Sequence, residues 1–168
     1  MEIILDHGPL FNEEDLVYIE NLLFGLEAKW CYAGHSNNIE NERFWYFNLE
    51  DYDFFYNFSS NKIKEVANIS YGLSRVYANG QTMNQSGDWH IDHDYGMTCL
   101  WYFNTFDDDW GGKTQFKLNG NIYNYAPKRN HLVSFPSNIL HKSQAPTNKF
   151  NSLRITIAWK FNNDSNKM

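Results

Sequence analysis

"MTCLWYFNTFDDDWGGKTQFKLNGNIYNYAPKRNHLVSFP", residues 97–136, decides the fold. Strand-length runs alternate in it with turn chemistry. "MTCLWYFN", "KTQFKL", "NIYNYA" and "HLVSFP" are separated by "WGG", "LNG" and "APKRN". The same texture continues outward on both sides. "LSRVYA", starting at Leu73, and "DWHIDH" precede it, and "ILHKSQ" and "LRITIAWKF" follow. Eight short strands in succession predict a mainly β domain, a barrel or jelly roll rather than βαβ units.

The chain before Leu73 reads differently. "NEEDLVYIENLLFGLE" predicts a helix with Asn12 as N-cap and Glu13, Glu14 and Asp15 in the first turn, where acids suit the helix dipole. Leu16, Ile19, Leu22, Leu23 and Leu26 recur at helical spacing and form its apolar face. "SSNKIKEVANIS" predicts a second helix, with Ile63, Val66 and Ile69 or Ala67 inward. Between them "RFWYFNLEDYDFFYNF" reads as aromatic packing over the core and its edge. The expected layout is one domain over 1–168, with a helical support region over 1–70 and a jelly-roll core over 71–161.

Composition narrows the function classes. Aromatic residues make up 18% of the 168, which favours pleated surfaces. The net charge of −6 argues against a broad grip on nucleic acid, because neutralising phosphates takes clustered Lys and Arg. The apolar runs are too short to cross a bilayer, and the N-terminus lacks the basic and apolar regions of a secretory leader. Cys31 and Cys99 form neither a disulfide framework nor a CxxC pair, so the expectation is free thiols in a reducing cytoplasm. Oligomeric state is not written in the sequence.

Metal chemistry concentrates in "SGDWHIDHDYGM", residues 86–97. If "DWHIDH" is a strand, His90 and Asp92 share a face and His93 takes the other. Asp94 falls where "DYGM" turns, so His93 and Asp94 are expected to stand aside from a metal. His7 and His35 lie in segments without strand pattern, and His131 opens a core-like run. His141 sits on a late strand between prolines and completes a set of two imidazoles and one carboxylate. That set suits non-haem Fe(II), because it leaves open positions on the ion. In "LRITIAWKF", alternation puts Arg154, Thr156 and Ala158 on one face. An Arg within an apolar strand is expensive without an anion, and with a neighbouring hydroxyl it makes a carboxylate receptor.

The set His90-x-Asp92, His141 and Arg154 resembles the signature of the Fe(II)/2-oxoglutarate-dependent dioxygenases, most closely their prolyl 4-hydroxylase-like branch. "RVYANGQ", "MTCLWYFN" and the Gly111, Gly112, Thr114, Phe116 pattern of "WGGKTQF" resemble further motifs of that branch, in the expected order over about residues 71–161. Two features depart from it. The Gly80–His90 interval is longer than usual, and the anion-binding position is Arg154, where collagen-type enzymes have Lys. The resemblance implies a double-stranded β-helix, cupin-like, with Fe(II) on His90, Asp92 and His141. It further implies 2-oxoglutarate as co-substrate with O₂, and ascorbate as a reductant. Arg154 and Thr156 would take the far carboxylate, and Tyr77 and Tyr102 match tyrosines that touch the co-substrate. The implied reaction is hydroxylation of a prolyl residue in a peptide or protein. Alternative substrates are a free amino acid, a small metabolite or a nucleobase, and a metal-binding jelly roll without turnover is a further alternative. The nucleic-acid demethylases of the superfamily carry an Arg-x-Asn tail ending in a later Arg. Thr156 and Lys160 stand at those places here, which counts against nucleic acid.

Overall fold

Asn119 and Gly120, both at positive φ (50° and 81°), turn the chain between β6 (Thr114–Leu118) and β7 (Asn121–Tyr125). Two left-handed residues match the right-handed twist of the flanking strands, so the hairpin closes with Leu118 opposite Asn121. The computed structural model describes residues 3–32 and 44–162. β9 (Leu140–Ser143) pairs with the other edge of β6, giving a three-stranded sheet in the order β7-β6-β9.

The second layer is a seven-stranded antiparallel sheet. It contains β1 (Leu5–Pro9), β2 (Cys31–Tyr32), β3 (Trp45–Asn48), β4 (Leu73–Gln81), β5 (Met97–Tyr102), β8 (His131–Pro136) and β10 (Arg154–Phe161). Their order is β1-β8-β5-β10-β4-β3-β2. The two sheets face each other as the layers of a jelly roll, the expected class. A small interior cluster of Tyr102, Phe116, Val133, Phe135 and Ile139 fills part of the space between them.

The larger core lies on the other face of the seven-stranded sheet. There α1 (Glu13–Phe24) and the aromatic segment cover Val76, Ala78, Trp101, Ile157 and Trp159. α1 begins as expected. The Asn12 side chain accepts from the Asp15 amide at 2.9 Å, and Asp15 accepts from the Asn12 amide at 3.4 Å, a reciprocal cap. Leu16, Ile19 and Leu23 are buried, but Leu26 lies past the helix end at Gly25 and is fully exposed. A π-helical stretch, Phe54–Ser59, runs into α2 (Ser60–Val66). Ile63 and Ile69 are buried there as expected, whereas Val66 is exposed. Trp159 donates its indole N–H to the Phe55 carbonyl at 3.0 Å, which ties this cover to the sheet.

Three expectations change. The region before Leu73 supplies three strands as well as helices, and it extends the large sheet at both edges. His7, expected outside any strand, sits in β1, where Ser134 Oγ meets its Nε2 at 2.7 Å. "DWHIDH" does not form a strand. Among its residues only His90 makes a ladder contact, an isolated bridge to His141. Asp92 and His93 both direct their amides at the Ser137 carbonyl, 2.9 and 3.3 Å away, so the backbone turns where the strand was expected to run on. His35 lies outside the described residues.

Candidate metal and anion site

His90 arrives on a loop laid along the free edge of β9. Its amide donates to the His141 carbonyl at 3.0 Å, and the His141 amide returns the bond at 2.9 Å. Two residues later the Ser137 contact turns the chain inward and buries the Asp92 carboxylate. The two imidazole Nε2 atoms and a carboxylate oxygen lie within 4.8 Å of one another. Asp92 Oδ1 is 3.6 Å from His90 Nε2, and Asp92 Oδ2 is 3.4 Å from His141 Nε2. The convergence therefore comes from a turn, not from the strand parity that the sequence suggested.

Backbone carbonyls fix both tautomers. His90 donates Nδ1–H to the Asp88 carbonyl and His141 donates Nδ1–H to the Ile139 carbonyl, each at 2.8 Å. Each ring thus turns its Nε2 toward the carboxylate, the arrangement second-shell carbonyls give to metal-ligating histidines. Phe135, edge-on at 4.7 Å, and Phe116, stacked at 6.1 Å, hold the His141 ring. Burial pushes His141 down to about 4, so it is neutral at pH 7 despite the Asp92 charge. Electron-rich atoms facing one another at this range are the donor set a small divalent cation needs, and the residues fit such an ion.

Asp92 is held from behind. Thr98 Oγ1 donates to Oδ2 at 2.6 Å, and the Lys160 ammonium, from the end of β10, also sits on Oδ2. Burial alone would raise this carboxyl. The Lys160 charge and the neighbouring imidazoles outweigh it and keep the group well below the usual carboxylate range. His93 is elsewhere: its ring packs edge-on against Tyr95 at 4.3 Å, and Asp94 is exposed.

Arg154 opens the inner face of β10 and is 1% exposed. It donates to the Gly112 carbonyl (2.6 Å), Gln81 Oε1 (2.8 Å) and Thr114 Oγ1 (3.2 Å). All three acceptors are neutral, so the guanidinium is anchored without a counter-charge among them. Burial lowers it to about 10, which leaves it cationic at neutral pH. Gly112 has to be glycine: φ is +64°, and a Cβ would stand 2.4 Å from the Phe106 ring. "GGKTQF" thus supplies a turn and two acceptors for the Arg.

One cavity runs between these groups, lined by His90, His141, Arg154, Thr156, Tyr77 and Lys160, among others. Tyr77 contacts Lys160 through its hydroxyl and lies between the Arg75 and Lys160 cations, 5.0 and 5.9 Å from its ring centre. Tyr102 is placed differently from Tyr77. It is fully buried, meets Thr114 Oγ1 at 2.9 Å and stacks on Tyr125. It is not among the residues lining the cavity, and its ring centre lies 6.0 Å from the Arg154 guanidinium. The sequence reading missed Thr98, Gln81 and Lys160. Lys160 was within reach, since one more step of the Arg154, Thr156, Ala158 alternation lands on it. Thr98 and Gln81 carry no local signal.

No protein-family model matches the sequence, and no curated protein matches it significantly. Solved structures do match in fold. A Pseudomonas putida prolyl-4-hydroxylase superposes with a TM-score of 0.68 at 13% identity, over 97% of this chain and 94% of that one. A prolyl hydroxylase from Trichoplax adhaerens, in complex with a hypoxia inducible factor peptide fragment, gives 0.71 at 13% identity, over 95% and 84%. A non-haem alpha ketoglutarate dependent carbocyclase from nogalamycin biosynthesis gives 0.70 at 9% identity, over 96% and 80%. The fold is thus the one seen in structures of 2OG-Fe(II) oxygenases.

Proposed function

We propose that the protein is an Fe(II)- and 2-oxoglutarate-dependent dioxygenase that hydroxylates a prolyl residue in a peptide or protein. The observation that carries this reading is one cavity lined by His90 and His141, which converge with Asp92 into a donor set, and by a buried Arg154 that has no counter-anion among its hydrogen-bond partners. His90 Nε2, His141 Nε2 and the Asp92 carboxylate would hold the ion. Bound Fe(II) would supply the redox chemistry that couples decarboxylation of 2-oxoglutarate with O₂ to hydroxylation of the substrate.

The chain's own residues do the rest. Arg154 pairs with the far carboxylate of 2-oxoglutarate, and the Thr156 hydroxyl adds a hydrogen bond. Gln81, Thr114 and the Gly112 carbonyl aim the guanidinium, and Tyr102 supports it through Thr114. Tyr77 borders the co-substrate on the metal side. Phe44 and Leu100 add apolar wall that limits water. Ascorbate would serve to re-reduce iron after uncoupled cycles. The free thiols of Cys31 and Cys99 agree with a cytoplasmic setting, and no helix among the described residues is long and apolar enough to cross a membrane.

The prolyl substrate rests on the prolyl hydroxylases among the structural neighbours. A small-metabolite substrate is the second reading, favoured by the carbocyclase, which shares the fold equally well. Purified protein with Fe(II) and O₂ is expected to release succinate slowly from 2-oxoglutarate, and Asp92→Ala to abolish this. Full turnover in Asp92→Ala would remove the triad, and no turnover in the parent chain would leave a metal-binding module. Mass spectrometry of peptide and metabolite libraries, searched for products heavier by one oxygen atom, then separates the two substrate classes.

A further inference from the structure

Lys160 lines the cavity, and the proposed reaction gives it no role. It is 9% exposed, and its ammonium contacts Asp92 Oδ2 and the Tyr77 hydroxyl. A buried ion pair is a weak source of stability. Desolvating both charges offsets most of their attraction, and apolar replacements are often neutral or better. The rest of this face needs no charge here, since Ala158 precedes Lys160 on it and Thr98 already donates to Oδ2. The cation has to be explained by what it does to Asp92.

Charge balance supplies the explanation. The donor set brings one carboxylate, Asp92, and the Lys160 ammonium sits directly on it. Without metal the buried carboxylate is thus not left alone. An arriving dication meets a carboxylate that is already paired, with an ammonium fixed on Oδ2 of the one carboxylate in the donor set. Thr98 and Lys160 both occupy Oδ2, so Oδ1, on the His90 side, is the oxygen left for an ion.

We propose that Lys160 is a resident counter-ion of Asp92 that stabilises the metal-free site and weakens its hold on a divalent ion. The inference rests on the metal-site reading above. It makes the site one that exchanges its ion readily, and Lys160 a positioning residue that acts through Asp92.

The test uses the full chain stripped of metal, titrated with Mn(II) and followed by the electron paramagnetic resonance signal of the free ion. Thermal unfolding is recorded with and without Mn(II). Lys160→Met is expected to bind Mn(II) about tenfold tighter or more, because relieved repulsion and an unpaired apo carboxylate act in the same direction. Its metal-free form should melt lower than the parent, with a larger rise on adding Mn(II). Lys160→Gln, which keeps a donor for Asp92 and Tyr77 without the charge, should tighten binding similarly. A variant that folds only with Mn(II) present supports the proposal. Variants that bind Mn(II) no tighter than the parent, or fail to fold even with it, overturn the proposal and leave the metal site standing. Folded parent and variants that all ignore Mn(II) would remove the metal site itself.

Discussion

The two faces of β10 are equally buried and chemically opposite. Ile155, Ile157, Trp159 and Phe161 point into the large core beneath α1 and the aromatic segment. Arg154, Thr156, Ala158 and Lys160 point into the cavity between the sheets. The first set stabilises by area, roughly 1.5–3 kcal/mol for each fully buried large apolar side chain. The second contributes little in that way and has to be satisfied group by group. A period of two therefore divides one strand into a structural half and a chemical half. The chemical half is itself asymmetric: Lys160 has a carboxylate, and Arg154 has only neutral acceptors. The unbalanced end is the one with charge left to offer an anion.

Substitutions on the two faces should fail in different currencies. The largest stability effect is expected from Trp159→Ala on the core face, about 3–5 kcal/mol in urea unfolding, from the lost ring and its cavity. A loss under about 1 kcal/mol would show that the core face is not what holds the sheet. Arg154→Ala should lose less stability than that. It should instead raise the 2-oxoglutarate concentration needed for half-saturation by roughly ten- to a hundredfold, the worth of a charged hydrogen-bonded pair, while sparing Mn(II) binding. An unchanged requirement would move the anion site elsewhere.

Acid should separate core from cavity next, because His141, on β9, lines the cavity that the chemical face of β10 also lines. His141 protonates near 4 in the fold against an ordinary 6.5, since burial disfavours the charged ring. The unfolded chain therefore takes up the proton first. The contribution of His141 is whole above pH 6.5 and is lost as pH falls through that window to about 4. Urea midpoints of the metal-free protein should drop over this range, and His141→Gln should flatten the drop. A drop unchanged in His141→Gln would assign the acid sensitivity to another group. The smallest effect is expected from His93→Ala, with Mn(II) affinity unchanged within the error of the titration. A large loss would bring His93 into the site after all.

Alternation made β10 and most of the jelly roll readable in advance, because a strand with one face on a core has to repeat every second residue. The hairpin at Asn119–Gly120 was readable for a similar reason, since its backbone geometry is local. The loop from Asp88 to His93 was not. Its shape is set by the Ser137 carbonyl and the His141 backbone, both more than forty positions along the chain. The parity assigned to it named the residues that meet, through a geometry the chain does not adopt. β1 was hidden too. "LDHGP" holds a glycine and a proline, and it becomes a strand only by lying against β8 at the sheet edge. Thr98 and Gln81 could not be singled out because their importance appears only in the folded chain: Gln81 meets Arg154 on the paired strand, and Thr98 meets Asp92 only because the loop turns back over it.

The loop that carries His90 and Asp92 has one further consequence. Its backbone is bonded to His141 on the three-stranded sheet, while the Asp92 side chain leans on Thr98 and Lys160 of the seven-stranded one. Three residues of chain thus span both layers. Any sliding of one sheet over the other is at once a change in the spacing of the candidate ligands. Breathing of the barrel and tuning of the site are one coordinate, and hydrogen exchange at the His90 and His141 amides would read both.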